Sequence, residues 1–227
     1  MEPTFICGCQ PAKPLNVATN FCANHLTYSF MPLPSVLFEH ASSIALPAFL
    51  TESTHFKNMS LNQAYQPLGF VRAQQEQGSW CWAAVSFAVS RFFNPQTGWT
   101  QCKIATGELG KPCCANALAC NQYWYLDRSL TRTGNYADFA SGRATIQDLN
   151  RIINVERHPL CIRIAWQNGG AHFLTITGVD PNGTLYVADP YFGDSRRAYS
   201  TFPSVYEGGG TWTHCFYTKP FPQPLLA

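Results

Sequence analysis

Charged residues are scarce in this sequence and never gather into a run. Only 12% of the 227 residues are Asp, Glu, Lys or Arg, and the formal net charge is +2. The chain therefore lacks the basic footprint of a nucleic-acid-binding protein and the acidic tail of some regulatory proteins. No segment reaches the ~18 consecutive apolar residues of a membrane helix. Because 46% of the residues are hydrophobic, we expect a globular protein without a nucleic-acid partner or a membrane span.

The N-terminus also lacks the basic region and apolar run of an ordinary secretory signal peptide. The ten cysteines nevertheless favour an oxidising compartment, because disulfides are common in proteins of such compartments. Export by a specialised route reconciles the two observations. So does a cytosolic protein whose thiols are reduced or bound to metal. The sequence therefore leaves the localisation open.

Residues 1–65 differ from the rest of the chain and are interpreted as an N-terminal extension or pro-segment. Six prolines interrupt any long helix or strand there. A zinc site is one interpretation of its Cys and His residues, although their spacing matches no strong ligand pattern and favours a disulfide or plain packing. The apolar stretch 36–56 predicts docking on the remaining chain, either as intramolecular inhibition or as a structural completion of the fold. The Cys and His residues in question are Cys7, Cys9, Cys22 and His25.

A buried helix is predicted from Cys81 to about Phe93. Its residues are mostly Trp, Ala, Val and Phe, which is typical of a helix inside a core. Gly78 and Ser79 form the preceding turn, and the proline after Asn94 ends the helix. Cys81 therefore lies in the first helical turn, where the helix dipole favours a thiolate over a thiol.

The middle of the chain carries a second group of cysteines between residues 94 and 121, which we interpret as a loop. Two interpretations remain open: at least one disulfide, which we favour, or a four-thiolate zinc site. A further helix is predicted from Thr145, where Thr145 and Asp148 resemble a capping box. The four cysteines are Cys102, Cys113, Cys114 and Cys120.

From residue 160 the apolar pattern changes to the alternation of β-strands. We predict an α+β fold in which a helical lobe precedes an antiparallel β-sheet or barrel lobe, with a cleft between the two. Residues 66–220 form this domain, and 221–227 form a C-terminal tail. The predicted strands cover 160–166, 172–178, 184–189, 196–202 and 211–218.

Three of these elements carry residues that fit nucleophilic catalysis. A cysteine nucleophile at position 81 needs an imidazole to take its proton, and His172 opens a predicted strand after a flexible Gly-Gly-Ala. Asp189 ends the next strand, and adjacent antiparallel strands would bring it to the second imidazole nitrogen. Gln75, six residues before Cys81, has a side-chain amide that can stabilise an oxyanion together with the Cys81 backbone N–H.

These residues stand in motifs that resemble the papain-like cysteine peptidases. The motifs are Gln75-x5-Cys81-Trp82-Ala83, Gly170-Ala171-His172-Phe173 and Val187-Ala188-Asp189-Pro190. Their order is similar to that in the compact bacterial branch, which includes secreted effector proteases and bacteriocin-leader peptidases. The resemblance covers about residues 66–218.

The resemblance implies a papain-like two-lobe fold whose central helix carries the nucleophile. It also implies that Cys81 is the nucleophile, His172 the base, Asp189 the orienting residue and Gln75 the oxyanion donor. The substrate would be a protein or peptide, and the chemistry needs no metal and no organic cofactor. The chain departs from larger relatives in having Asp189 in place of Asn, and Trp80 before the nucleophile where they carry a small residue.

Two other functions remain open at the level of sequence. A glutamine deamidase or transglutaminase-like toxin would use the same triad, because an acyl-enzyme can pass to water or to an amine. A catalytically inactive, cysteine-rich binding domain would keep Cys81 inert, and a disulfide at Cys81 would favour that interpretation. The substrate, the cysteine pairing and the oligomeric state do not follow from the sequence.

Overall fold

A computed structural model describes residues 65–221 of the chain. Three helices come first in this range, and a fourth helix lies between the first strand and the other five strands of an antiparallel sheet, so the predicted α+β fold is confirmed. The helices are α1 (Cys81–Phe93), α2 (Gln101–Leu109), α3 (Leu126–Arg132) and α4 (Ile146–Leu149). The strands are β1 (Tyr136–Ser141), β2 (Leu160–Trp166), β3 (Ala171–Val179), β4 (Thr184–Asp189), β5 (Gly193–Ala198) and β6 (Gly210–Thr218).

The six strands form one sheet in the order β1-β6-β2-β3-β4-β5, and every neighbouring pair is antiparallel. β3 is buried along its whole length, as expected for a strand covered on both faces. One face carries Phe173 and Phe216, which pack with α1. The other face carries Ile162 and Leu174, which pack with α4 and its continuation. The sheet therefore separates two hydrophobic clusters.

The predicted central helix is confirmed as α1, from Cys81 to Phe93. The predicted second helix begins at Thr145, whose hydroxyl accepts the Asp148 backbone N–H at 3.0 Å. It contains only four α-helical residues and continues as a wider, π-helical stretch over Asn150–Val155. The predicted strand at 196–202 lies earlier in the structure, as β5, because the chain turns away from the sheet after Ala198.

The cysteine-bearing region, interpreted from the sequence as a loop over 94–121, contains the helix α2. α2 begins at Thr100, whose hydroxyl accepts the Lys103 backbone N–H, and ends at Gly110 with a left-handed φ of 63°. Gly107 lies inside α2 and weakens its helix propensity. A Cβ at Gly107 would lie 2.7 Å from the Arg132 side chain of α3, so a larger residue there would displace that side chain.

Residues 65–80 lead into α1 along the sheet. The Leu68 backbone N–H donates to Thr177 of β3, and the Gln75 backbone N–H donates to Pro190 after β4, each at 2.9 Å. The segment therefore ends beside the last residue of β4, next to the start of α1. Within residues 65–221, no helix has the length and apolar character of a membrane span.

Candidate active site

Cys81 is the first residue of α1 and is buried. It is not part of a disulfide, so the observation that would have favoured an inert binding domain does not hold. α1 packs against α2, α3 and β3, which fixes its position relative to the sheet. A thiolate at this position is stabilised by the positive end of the helix dipole.

Two indoles anchor the beginning of α1 to the segment that follows the cysteine-bearing region. Trp80 Nε1 donates to the Cys120 carbonyl at 2.8 Å, and Trp82 Nε1 donates to the Gln122 carbonyl at 3.1 Å. The Ser79 backbone N–H donates to the Asn121 side chain at 2.8 Å. Residues 120–122 therefore hold both sides of Cys81 in position.

Two disulfides hold the cysteine-bearing region itself. Cys102 is bonded to Cys114, and Cys113 to Cys120. The sequence favoured at least one disulfide, and the structure contains two. The alternative four-thiolate zinc site is wrong, because all four sulfurs are paired. The group Cys7, Cys9, Cys22 and His25 lies outside the described residues. Within residues 65–221, no cluster of three His, Cys, Asp or Glu side chains could hold a metal ion.

The other two thiols in the described range lie in the core of the sheet. Cys161 of β2 and Cys215 of β6 are buried. Burial raises the pKa of Cys161 to about 12, and it also raises the pKa of Cys215. Both therefore remain protonated at neutral pH, in contrast to what nucleophilic attack requires.

His172 and Asp189 meet at one end of the sheet. The antiparallel register pairs Thr175 of β3 with Ala188 of β4, which puts His172 and Asp189 on one face as diagonal neighbours. His172 Nε2 lies 2.8 Å from Asp189 Oδ1, and the two side chains are 1% and 0% exposed. The sequence predicted His172 and Asp189 on adjacent strands, and the structure shows that their side chains are in contact.

Asp189 is held in its ionised form. Its Oδ1 also accepts the backbone N–H groups of Tyr191 and Phe192, at 2.7 and 2.9 Å. Burial alone would raise the pKa of Asp189, but the His172 ring and these backbone hydrogen bonds outweigh it and hold the pKa below its usual value. An ionised acceptor requires that Nε2 of His172 carry the hydrogen of their shared bond.

Aromatic rings enclose the His172 imidazole. The Trp166 ring stacks on it at a centroid distance of 5.9 Å and an angle of 19°. Phe192 contacts it edge to face at 6.0 Å. These rings keep water away from the His172–Asp189 bond, which strengthens it electrostatically.

Gln75 connects the loop before α1 to the sheet. Besides the backbone bond to Pro190, its side-chain Nε2 lies 2.8 Å from the carbonyl oxygens of both Gln77 and Gly78. Its Oε1 is buried and accepts no hydrogen bond within the described residues. Both amide hydrogens of Gln75 are thus directed at the turn that precedes Cys81.

Two residues that support this site were missed by the sequence analysis. Gln101 at the start of α2 is 2% exposed, and its side chain bonds the Gln74 carbonyl and the Glu76 backbone N–H, which flank Gln75. Tyr206 donates its hydroxyl to Asp189 Oδ2 at 3.0 Å. Neither residue belongs to a local motif, so only the fold brings them to the site.

Comparisons with known proteins bear on this geometry. Residues 65–207, more than half of the chain, match the family model of the papain-like cysteine protease AvrRpt2. Eighteen chains of solved structures match. One of them, described as a double glycine motif protease from an AMS/PCAT transporter in complex with the leader peptide, is 20% identical, covers 69% of this chain and 99% of its own, and has a TM-score of 0.39. That likeness is too low to add to the family match.

No curated protein matches the chain. The resemblance inferred from the motifs is confirmed: the chain belongs to the papain-like cysteine protease AvrRpt2 family.

Proposed function

We propose that this protein is a thiol peptidase in which Cys81 is the nucleophile, His172 the general base and acid, and Asp189 the residue that orients the imidazole. The family supports a cysteine peptidase. The observation that carries the assignment of residues is the buried 2.8 Å bond between His172 Nε2 and Asp189 Oδ1. A buried histidine bonded to an ionised carboxylate is the arrangement that holds an imidazolium opposite a thiolate.

The first step is activation of the sulfur. Because Nε2 is committed to Asp189, proton transfer falls to Nδ1 of His172. The resulting imidazolium is stabilised by the Asp189 charge, and the thiolate of Cys81 is stabilised by the N-terminus of α1. Cys161 and Cys215 have neither a helix N-terminus nor the His172 imidazolium to stabilise a thiolate, and burial raises their pKa values instead.

The thiolate then attacks the carbonyl carbon of a peptide bond. The tetrahedral intermediate collapses when the amine leaves with the proton from Nδ1 of His172, and a thioester remains on Cys81. A water molecule gives a proton back to Nδ1 and attacks the thioester, which releases the carboxylic acid and restores the thiolate. The cycle balances without a metal or an organic cofactor.

Gln75 is the proposed side-chain donor to the oxyanion, beside the backbone N–H of Cys81. Its Nε2 contacts two backbone carbonyls, of Gln77 and Gly78. The proposed role therefore requires that the oxyanion replace one of these carbonyls as acceptor. The buried Oε1 favours such a rearrangement, since the present side-chain position leaves this oxygen without a donor among the described residues.

The substrate is proposed to be a protein or peptide. Autoinhibition by residues 1–65 remains a prediction, because only Tyr65 of that segment lies within the described residues.

Alkylation of Cys81 by iodoacetamide from pH 4 to 9, read by mass spectrometry, tests the proposal. Rapid labelling at pH 5–6 is expected in the wild type, well below the pKa of about 8.5 of an ordinary cysteine, and it should be lost in His172→Ala. Cys161→Ala is the matched control and should label at Cys81 as the wild type does.

A peptide-library digest completes the test. Mass spectrometry should find new termini with the wild type and Cys161→Ala, and at least about 10⁴-fold less cleavage with Cys81→Ala. Labelling of Cys81 as an ordinary thiol in every variant would overturn the assignment of residues. A mass shift of about one dalton without new termini would instead identify a deamidase, since that is the difference between an amide and its acid.

A further inference from the structure

The carboxylate of Asp189 is bonded at both of its oxygens. Oδ1 accepts from His172 Nε2, Tyr191 N and Phe192 N, whereas Oδ2 accepts from the Tyr206 hydroxyl at 3.0 Å. A rotation about the Cβ–Cγ bond moves both oxygens of the carboxylate together, so a hydrogen bond at either oxygen resists it. The bond at Oδ2 therefore adds to the three bonds at Oδ1 in fixing the plane of the group, and it helps to direct Oδ1 at the imidazole.

Tyr206 is itself rigidly held. It lies in the loop between β5 and β6, is 1% exposed, and its backbone N–H donates to Pro203 at 3.0 Å. Its ring packs against Phe202 at a centroid distance of 5.1 Å and stacks on Trp166 at 6.3 Å. Trp166 is the same ring that covers His172, so one aromatic cluster supports both the imidazole and the tyrosine.

The hydroxyl of Tyr206 acts as a donor throughout the working pH range. Burial raises the pKa of Tyr206 well above its usual value, and the neighbouring negative charge of Asp189 raises it further. The group therefore keeps its proton, which it needs in order to donate to a carboxylate.

We propose that Tyr206 is a positioning residue of the peptidase, whose hydroxyl holds the Asp189 carboxylate ionised and in the plane from which Oδ1 orients the His172 ring. The proposal rests on the function proposed above. It adds a positioning residue to Cys81, His172, Asp189 and Gln75, contributed by the loop between β5 and β6. The hydroxyl of Tyr206 acts through Asp189, because that carboxylate is its hydrogen-bond partner.

Removal of the hydroxyl should affect both orientation and ionisation. In Tyr206→Phe, Oδ2 becomes a buried acceptor without its donor, which raises the pKa of Asp189. Protonation of Asp189 at a higher pH removes the partner of the imidazolium. The acid limb of the kcat/KM profile should therefore move up by about one pH unit, and kcat at neutral pH should fall by about three- to tenfold. KM should stay unchanged.

Tyr199→Phe is the matched control. The Tyr199 hydroxyl donates to the Ala144 carbonyl at 3.0 Å, so the variant loses an equivalent atom and hydrogen bond shortly after β5. It should lower stability without a change in the pH profile. A purely structural role of Tyr206 predicts the same result for Tyr206→Phe, namely lower stability with an unmoved acid limb, and that result would overturn the proposal.

A double-mutant cycle shows whether Tyr206 acts through Asp189. In an Asp189→Asn background, Tyr206→Phe should cause no further loss of kcat, whereas additive losses would contradict the proposal. If Tyr206→Phe does not fold, site-specific 3,5-difluorotyrosine keeps the shape with a more acidic hydroxyl, and the acid limb should then move down. If the acid limb of the kcat/KM profile of the 3,5-difluorotyrosine protein stays at the wild-type pH, the proposal is also rejected.

The two proposals fail in different ways. If wild-type Cys81 lacks low-pH labelling, the assignment of the nucleophile fails. If that labelling is present and depends on His172 while the Tyr206 variants keep the wild-type profile, only the role of Tyr206 fails.

Discussion

The helical part of the site, α1 to α3, and the sheet part, β1 to β6, are stabilised by different means. Two disulfides lie in the helical part, and the second of them ends at Cys120, whose carbonyl anchors Trp80 beside Cys81. Within residues 136–218 the cysteines Cys161 and Cys215 are thiols, and strand register with a buried core holds the sheet. The position of Cys81, the proposed nucleophile, thus depends on cross-links, and the position of His172, the proposed base, depends on strand pairing.

This difference implies that the two halves respond to different perturbations. A reductant acts on the helical part, because it contains the disulfides. A change of pH acts on the sheet part, because the buried His172–Asp189 pair and the buried Cys161 thiol lie there. If Cys81 is the nucleophile as proposed, full activity is expected to require Cys81 in its reduced form together with the Cys113–Cys120 disulfide.

The largest effect is expected from Asp189→Ala in the sheet part. The imidazole loses the acceptor that fixes its orientation and stabilises its charge, so kcat should fall by about 10²–10⁴-fold. Steady-state cleavage of a peptide substrate measures this loss. Asp180→Ala is the control, since the Asp180 carboxylate accepts two backbone N–H groups in the β3–β4 turn and should affect stability alone. Equal activities of the two variants would contradict the role of Asp189.

The next effect tests the helical part through its cross-links. Removal of Cys113–Cys120 by a double Ala substitution should lower the free energy of unfolding by about 2–3 kcal/mol, as loop closure over its sequence separation of 7 predicts. Activity should fall as well, because the Cys120 carbonyl positions Trp80. Urea denaturation and peptide cleavage provide the two measurements.

The Cys102–Cys114 double Ala variant is the matched control for this test. It closes a loop with a sequence separation of 12 but ends one residue after Cys113, away from residues 120–122. A similar loss of stability with a smaller loss of activity is expected. If the two variants lose activity equally, the cross-links act on the helical part as a whole rather than through Cys120.

The sequence predicted the elements that carry the motifs, and it missed α2, α3 and β1. α1 and the strands β2 to β4 have strong apolar patterns, because they are buried between two layers. α2 carries Gly107 and few buried residues, and β1 is largely exposed, so neither has a distinctive periodicity. Weak patterns of this kind are decided by tertiary contacts.

The same distinction applies to the site. Cys81, His172 and Asp189 follow from local motifs and their order, and the strand register explains why the last two meet. Tyr206 and Gln101 reach the site from a loop and from a helix that sequence periodicity does not reveal. Their role depends on the path of the chain after Ala198 and before α2, which no short motif encodes.

A smaller effect is expected from the Cys161 thiol at alkaline pH. Its pKa is raised to about 12 by burial, so its contribution to stability is complete below the unfolded pKa of about 8.5–9 and is lost as the pH rises toward 12. Wild type should lose about 2 kcal/mol more than Cys161→Ala between pH 8 and 10.5. Urea denaturation at both pH values measures this difference, and parallel losses in the two proteins would show that Cys161 does not titrate in this range.

The smallest effect concerns the entry of the chain into the sheet part. The Tyr65 hydroxyl accepts the Val179 backbone N–H at 2.9 Å and donates to Asn154 Oδ1 at 2.8 Å. Tyr65→Phe should therefore lower the free energy of unfolding by about 1–2 kcal/mol. Val179 lies seven residues along β3 from His172, roughly 23 Å away at the rise of a strand, so kcat should not change. Tyr123→Phe, at an exposed ring of the helical part, should change neither quantity. A loss of kcat in Tyr65→Phe would mean that the hydrogen bonds of Tyr65 affect the His172 end of the sheet. The expectation that they contribute to stability alone would then be wrong.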